Sequence, residues 1–260
     1  MTNGLMDGRA TYPSLQGRHV FITGGGSGIG QGLVEHFADQ GATVSFVDIN
    51  AAAGAAVADG VAAGGHKRPD FAALDLRDTK ALERHIADLG AQHGPISVLV
   101  NNAGNDDRHR LEDVTEDYFD DRIAVNLRHQ LFAAKAVAPQ MRGLGGGSII
   151  NFSSITWTVA DGDCVCYVTS KAAVHGMTRA LATELGPDNI RVNCIWPGWI
   201  MTERQVKLWL NEAGEKQLAE RQALPGKLYP GDVARMALWL ASDDSRMCSK
   251  QAFVVDGGWV

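Results

Sequence analysis

The chain has 260 residues, 45% of them hydrophobic and 21% charged, with a formal net charge of −6 at pH 7. That length supports one large domain with a well-buried core, and the negative balance excludes a general nucleic-acid surface and an anionic membrane partner. No window approaches the ~18 uninterrupted apolar residues of a membrane-spanning helix. Cys164, Cys166, Cys194 and Cys248 form neither a disulfide framework nor matched zinc pairs, and read as reduced thiols of a cytoplasmic protein.

Residues 1–16 are polar and mixed, lack an apolar core of signal-peptide length, and are expected to be a tail; residues 17–260 are expected to be a single domain. His19-Val20-Phe21-Ile22-Thr23 is an apolar run ending in a glycine cluster, which reads as a buried strand feeding a turn. Helical spacing follows over residues 28–40, then a strand over 43–47 closed by Asp48, and an alanine-rich helix over 51–63. A weaker strand is expected at 70–74, and a helix capped by Asp78 or Thr79 runs to about Gln92. The remaining expected strands are 96–100, 148–152, 191–195 and 252–255. The remaining expected helices are 115–141, one around Tyr167 ending near Gly186-Pro187, 203–222 and 232–241. Strands that are continuous apolar runs, alternating with helices, belong to a parallel sheet covered on both faces. The expected fold class is therefore α/β, a doubly wound sheet of Rossmann type.

Thr23-Gly24-Gly25-Gly26-Ser27-Gly28-Ile29-Gly30 lies between the first strand and first helix, where a nucleotide loop must lie. Unpaired N–H groups at such a helix start face phosphates. Asp48, about 20 residues on, would accept bonds from the adenosine ribose hydroxyls and repel a 2′-phosphate, so the expected cofactor is NAD rather than NADP. Tyr167 and Lys171 are four apart and share one helix face. A fixed ammonium beside a phenol is expected to lower its pKa from the usual ~10 and make it a general base. The eight His show no metal-ligand spacing, and no metal is expected.

The glycine loop, Asn101-Asn102-Ala103-Gly104, Tyr167-x-x-x-Lys171, Asn126, Ser153-Ser154 and Pro197-Gly198 stand in an order and spacing that resemble the short-chain dehydrogenase/reductase family over residues 17–260. The resemblance implies Tyr167 as catalytic acid/base, with Lys171 lowering its pKa and holding the nicotinamide ribose. It implies Ser154, 13 residues before Tyr167, as the hydrogen-bond partner of the reacting oxygen, with Ser153 as competitor, and Asn126 as the residue positioning a water beside Lys171. For the cofactor it implies Gly24, Ser27, Gly28, Ile29, Gly30 and Asp48. It adds Asp75 and Leu76 at the adenine, Asn102 and Gly104 on the adenosine side, and Pro197, Gly198, Ile200 and Thr202 toward the nicotinamide. It also implies a homotetramer, for which Leu131-Phe132-Ala133-Ala134 is apolar enough to be an interface or a core face.

For the substrate, the polar loop 105–110 and the flat faces of Trp157 and Trp199 suit a polyhydroxylated molecule; a solvated loop with core tryptophans is the alternative. Residues 102–109, 125–129 and 176–182 resemble the bacterial NAD-dependent aldose dehydrogenases of the family, which oxidise the anomeric hydroxyl to a lactone. Residues between Thr156 and Val165 are this chain's own, leaving D-xylose, L-arabinose, L-fucose, L-rhamnose or galactose open. Expected sugar contacts are Asp106, His109, His129, Ser154, Trp157, Asp163, Tyr167 and Trp199. The rivals are a short-chain oxidoreductase of another secondary alcohol or ketone, such as a 3-oxoacyl group, and an NAD-sensing regulator without turnover.

Overall fold

A computed structural model describes residues 10–159 and 162–260. Seven parallel strands form one sheet: β1 His19–Thr23, β2 Thr43–Asp48, β3 Asp70–Ala73, β4 Val98–Asn101, β5 Gly147–Phe152, β6 Ile190–Pro197 and β7 Ala252–Val255. Their order is β3-β2-β1-β4-β5-β6-β7, so the winding reverses between β1 and β4. In such sheets the crevice at the carboxyl ends of the strands, at that reversal, is where ligands bind.

Side chains alternate between two apolar layers. Val20 and Ile22 of β1 face one, with Phe46, Val100 and Ile150, against α1 (Gly28–Asp39) and α10 (Pro230–Ala241). Phe21, Leu99, Ile149 and Val192 face the other, against α3 (Thr79–His93) and α5 (His129–Gly143). Burying one such side chain contributes about 1.5–3 kcal/mol. A strand flanked by both layers is mostly apolar along its middle, which is why these strands read mostly as apolar runs. Leu15, at the end of the short 3-10 helix Pro13–Leu15, is fully buried in the first layer, so chain assigned to the tail packs into the core from there; residues 1–9 of that tail lie outside the described residues.

α2 spans Ala51–Ala63, capped by the Asn50 side chain, and Asp78 caps α3 by accepting from the Ala81 amide (2.9 Å). The helix expected over 115–141 is three pieces: α4 (Glu116–Ile123), a π-helical stretch Ala124–Arg128, and α5. The segment 203–222 is two helices, α8 (Glu203–Trp209) and α9 (Glu212–Arg221), broken at Leu210 and restarted by the Asn211 side chain capping Gly214. A one-turn helix α6 (Thr156–Val159) precedes α7 (Val165–Leu185). On α5, Ala133 and Ala134 are fully buried while Leu131 is 44% exposed, so the apolar stretch there is mainly core. Among the described residues no helix is long and apolar enough to cross a membrane, and no group of three or more His, Cys, Asp or Glu could hold a metal ion.

Candidate active site

A cleft of about 2220 Å3 opens along the carboxyl edge of the sheet. Its floor at the reversal point is the glycine turn. Gly24 has φ +70, and a Cβ there would stand 2.8 Å from Ala103 Cα; a Cβ on Gly30 would overlap the Gly24 carbonyl oxygen. Only glycine lets the turn, the start of α1 and the loop after β4 approach this closely. Asn102 fastens the turn from the neighbouring strand, its Nδ2 donating to the carbonyls of Thr23 (3.1 Å) and Gly24 (2.9 Å). Ser27 stands at the N-cap of α1 without a side-chain cap, so the first amides of that helix are left for a ligand. Asp48 ends β2 on the cleft wall, where its carboxylate accepts from the amides of Gly26 (2.9 Å) and Asn50 (2.9 Å) and keeps further lone pairs. A phosphate-facing helix start, a close-packed turn and an acceptor at the end of β2 fit a dinucleotide.

The other cofactor candidates line the same cleft: Gly28, Ile29, Asp75, Leu76, Gly104, Pro197, Gly198, Ile200 and Thr202. Asp75 is held by Arg77 (2.6 Å), which keeps its carboxyl below the usual range. Thr202 caps α8 through Gln205 N (3.3 Å), and its methyl closes over Gly28.

β5 delivers Ser153 and Ser154 to the edge, and the first turns of α7 deliver Tyr167 and Lys171 opposite them. The two serines divide the work. Ser153 is buried and donates to the Lys171 carbonyl (2.6 Å), tying β5 to α7; Ser154 hydrogen-bonds Tyr167. Lys171 is buried, donates to the Phe152 carbonyl (2.9 Å), and holds its ammonium 5.4 Å from the centre of the Tyr167 ring. Asn126, in the π-helical stretch, is fully buried; it accepts from Asn105 N (2.7 Å) and donates to the carbonyls of Asn105 (3.1 Å) and Arg122 (3.0 Å). It thereby holds the loop after Gly104 against the site.

The expected lowering of the tyrosine pKa is reversed. Burial pushes the Tyr167 phenol up, Asp106 adds to that, and the Ser154 hydrogen bond and Arg108 only partly oppose it. Burial also brings Lys171 down to about 8, so the ammonium that should favour the phenolate is itself disfavoured by its surroundings.

The expected sugar contacts separate into two groups. Asp106, Ser154, Asp163, Tyr167 and Trp199 line the cleft. His109, His129 and Trp157 are not brought to it. His129 is fully buried at the start of α5, with Nε2 3.2 Å from the Ala103 carbonyl, and burial drives it down to about 3. His109 stacks edge-on against Tyr118, and its Nε2 accepts from the Cys166 amide (3.4 Å), bracing the start of α7. Trp157 turns outward from α6 to pack against His175 and Trp196. Sequence reasoning passed over four residues of the substrate end. Gln205 donates to Asp106 Oδ2 (2.8 Å) and accepts from Trp199 Nε1 (3.1 Å). Arg108 donates through Nη1 to Asp163 (2.8 Å) and Cys164 Sγ (3.3 Å), with its guanidinium 5.3 Å from the Trp209 ring centre. Thr156 and Trp259 line the same cleft. An arginine among acids in the loop 105–110 was the one available signal; Trp259 comes from a distant segment and carried none.

A sequence profile described as enoyl-(acyl carrier protein) reductase matches residues 24–260. The chain is 50% identical to the D-xylose 1-dehydrogenase of Caulobacter vibrioides over 250 residues, covering 96% of this chain and 98% of that one. It is 49% identical to a Rhizobium meliloti protein named probable galactose dehydrogenase over 247 residues, 95% of this chain and 96% of that one. Among solved structures it is similar to a 7α-hydroxysteroid dehydrogenase complexed with NADH and 7-oxoglycochenodeoxycholic acid, with TM-score 0.89 and 30% identity over 99% of this chain and 98% of that one.

Proposed function

Because the chain belongs to the short-chain dehydrogenase/reductase family, and so to the nicotinamide-dependent oxidoreductases, we propose that it oxidises the anomeric hydroxyl of an aldose to the lactone with NAD as cofactor. The observation that carries this reading is that Tyr167, bonded to Ser154, opens on the same cleft as the polar wall of Asp106, Gln205 and Trp199. Relatives named for xylose and galactose, at about half identity over nearly the whole chain, point the same way.

In this mechanism Ser154 and Tyr167 hold the anomeric oxygen between them, and Tyr167 takes its proton as charge develops there. Lys171, lowered to about 8 by burial, places a positive charge beside the phenol at neutral pH and fixes the backbone of Phe152. Asn126 orders the loop that carries Asp106. Bound NAD supplies the hydride acceptor. Gly24, Ser27, Gly28, Ile29 and Gly30 would hold its pyrophosphate and Asp48 its adenosine ribose. Asp75, Leu76, Asn102 and Gly104 would line the adenosine half, and Pro197, Gly198, Ile200 and Thr202, with Lys171, the nicotinamide half.

The working form is a homotetramer of the cytoplasm; the apolar Leu131 of α5 and Val165 of α7, each 44% exposed, support the assembly, which sedimentation velocity tests. The activity is tested by a panel of pentoses, 6-deoxyhexoses and hexoses with NAD, alongside 3-oxoacyl and steroid substrates, read by absorbance of the reduced cofactor. Turnover of an aldose is the expected result; turnover of only the non-sugar set overturns it.

A further inference from the structure

A carboxylate beside a proton acceptor opposes its ionisation, so whatever covers that carboxylate bears on the reaction. Asp106 is such a group. The loop from Gly104 to Arg108 runs along the first turns of α7: a Cβ on Gly104 would stand 3.2 Å from Lys171 Nζ, and Arg108 Nη1 reaches Cys164 Sγ (3.3 Å). Asp106 lies between those two contacts in the chain, and Tyr167 lies between their partners. From α8, Gln205 Nε2 (2.8 Å) and Arg204 Nε (3.4 Å) meet the Asp106 carboxylate. We propose that Arg204 is a positioning residue of the reaction: seated on Asp106, it screens a negative charge that the Tyr167 oxygen must otherwise meet in taking the proton, so the base works at full strength only with α8 in place. The inference rests on Tyr167 as the proton acceptor, and not on which alcohol gives the proton up.

Other contacts hold this arrangement. Arg204 Nη2 also donates to Asp107 (2.8 Å), which Arg122 of α4 holds in turn (3.1 Å), so one guanidinium spans two successive carboxylates. Gln205 is oriented by Trp199 Nε1, from which it accepts (3.1 Å). The Arg204 side chain is half exposed, so withdrawing it opens no part of the core.

The groups around Tyr167 divide by sign. Beyond burial, Asp106 and Cys164 oppose the phenolate, while the Ser154 hydrogen bond and Arg108 favour it. Lys171 lies one turn further along α7, its ammonium 5.4 Å from the ring centre, and Asp106 favours that ammonium. Arg108 is already paired with Asp163 (2.8 Å), and Lys171 is fixed on the Phe152 carbonyl (2.9 Å). Arg204 is thus the cation whose hold on Asp106 depends on the placement of α8.

The test uses R204Q, which removes the charge, and R204K, which keeps it, each alone and combined with D106N. Formation of reduced cofactor in single turnovers, at saturating NAD and saturating aldose, is followed against pH. At about pH 7 Lys171, brought down only to about 8, is still mostly charged, so the change falls on Tyr167. R204Q should slow the step about three- to tenfold there and carry the ascending limb to higher pH, while R204K stays within about twofold of wild type. In the D106N background R204Q should change the rate by less than about twofold. An R204Q loss as large with D106N as without it means that Arg204 merely holds α8, and overturns the proposal. So does an R204K as slow as R204Q, or a limb that keeps its position. Should D106N fail to fold, the limbs of R204Q and R204K decide. If no aldose is turned over, the aldose reading falls, and the coupling is measured on whichever substrate of the panel is. With no turnover at all, tyrosinate ultraviolet absorbance of the NAD-bound protein, taken against its Tyr167→Phe counterpart, reads the same displacement.

Discussion

With its phenol pushed up by burial, Tyr167 keeps its proton at neutral pH, yet oxidation needs that oxygen as a base. The rate of sugar oxidation, as kcat/KM, is therefore expected to climb with pH between about 6 and 10, while the reverse reduction favours the acid side. Tyr167→Phe should lower the rate by about 10²–10⁴ and flatten the profile, with NADH still bound; a pH-independent wild-type rate would refute Tyr167 as the base. His129 offers a second titration, one of stability. The fold holds it near 3, while an unfolded chain takes up its proton near ~6.5. Its contribution is thus complete above about 6.5 and is lost as pH falls toward 3. Denaturant midpoints of His129→Gln against pH should show a shallower acid limb than wild type; an unchanged slope counts against this assignment. At this scale the residues of the proton relay were legible, because Tyr167 and Lys171 four apart must share a face. Their ionisation was not, since spacing says nothing of how much protein packs around a pair. Nor was the outward turn of Trp157, which follows from the rotation of a four-residue helix.

Elements were legible wherever both faces of a strand are covered, since its middle positions are then apolar, as are Val20, Phe21 and Ile22 of β1 and Val98, Leu99 and Val100 of β4. The β2 end is the informative case: Asp48 follows the buried Phe46 and Val47 as the last residue of the strand, so its carboxylate meets the cleft where the strand ends. Asp48→Ala should erode the proposed preference for NAD over NADP, read as the ratio of kcat/KM for the two cofactors. It also leaves the Gly26 amide without its acceptor, so binding of both is expected to weaken. An unchanged ratio would remove Asp48 as the selector. The π-helical stretch at Ala124–Arg128 escaped sequence reading because one extra residue per turn does not alter composition, and it is where Asn126 reaches the Asn105 backbone. Insertions of this kind gather at functional sites. The break between α8 and α9 did carry a signal: Asn211, an N-cap residue type, stands inside the helix expected over 203–222.

Across the whole molecule, alternation of strands and helices with right-handed crossovers leaves few sheet orders open, and the observed one is the doubly winding order. How α8 lies over the cleft was not readable, because polar contacts between distant segments hold it there. Arg204 reaches Asp107 (2.8 Å) and Asp106 (3.4 Å), and Gln205 reaches Asp106 from the same helix. These groups are partly exposed, so Arg204→Ala should cost the global fold about 1 kcal/mol or less. Amide hydrogen exchange should nevertheless accelerate in α8 while the sheet keeps its protection. Uniform acceleration everywhere would mean that α8 has no separate hold.

All seven strands run parallel, and the cleft at their carboxyl ends is lined by the last residues of several strands and by the segments that follow them. The ligand-facing rim can thus be altered with little change to the interior. A lineage can trade one sugar for another by rewriting a few surface connections, and the ancestral scaffold need not notice. Kin that share half their residues with this chain and carry the names of different sugars are what such a history leaves behind.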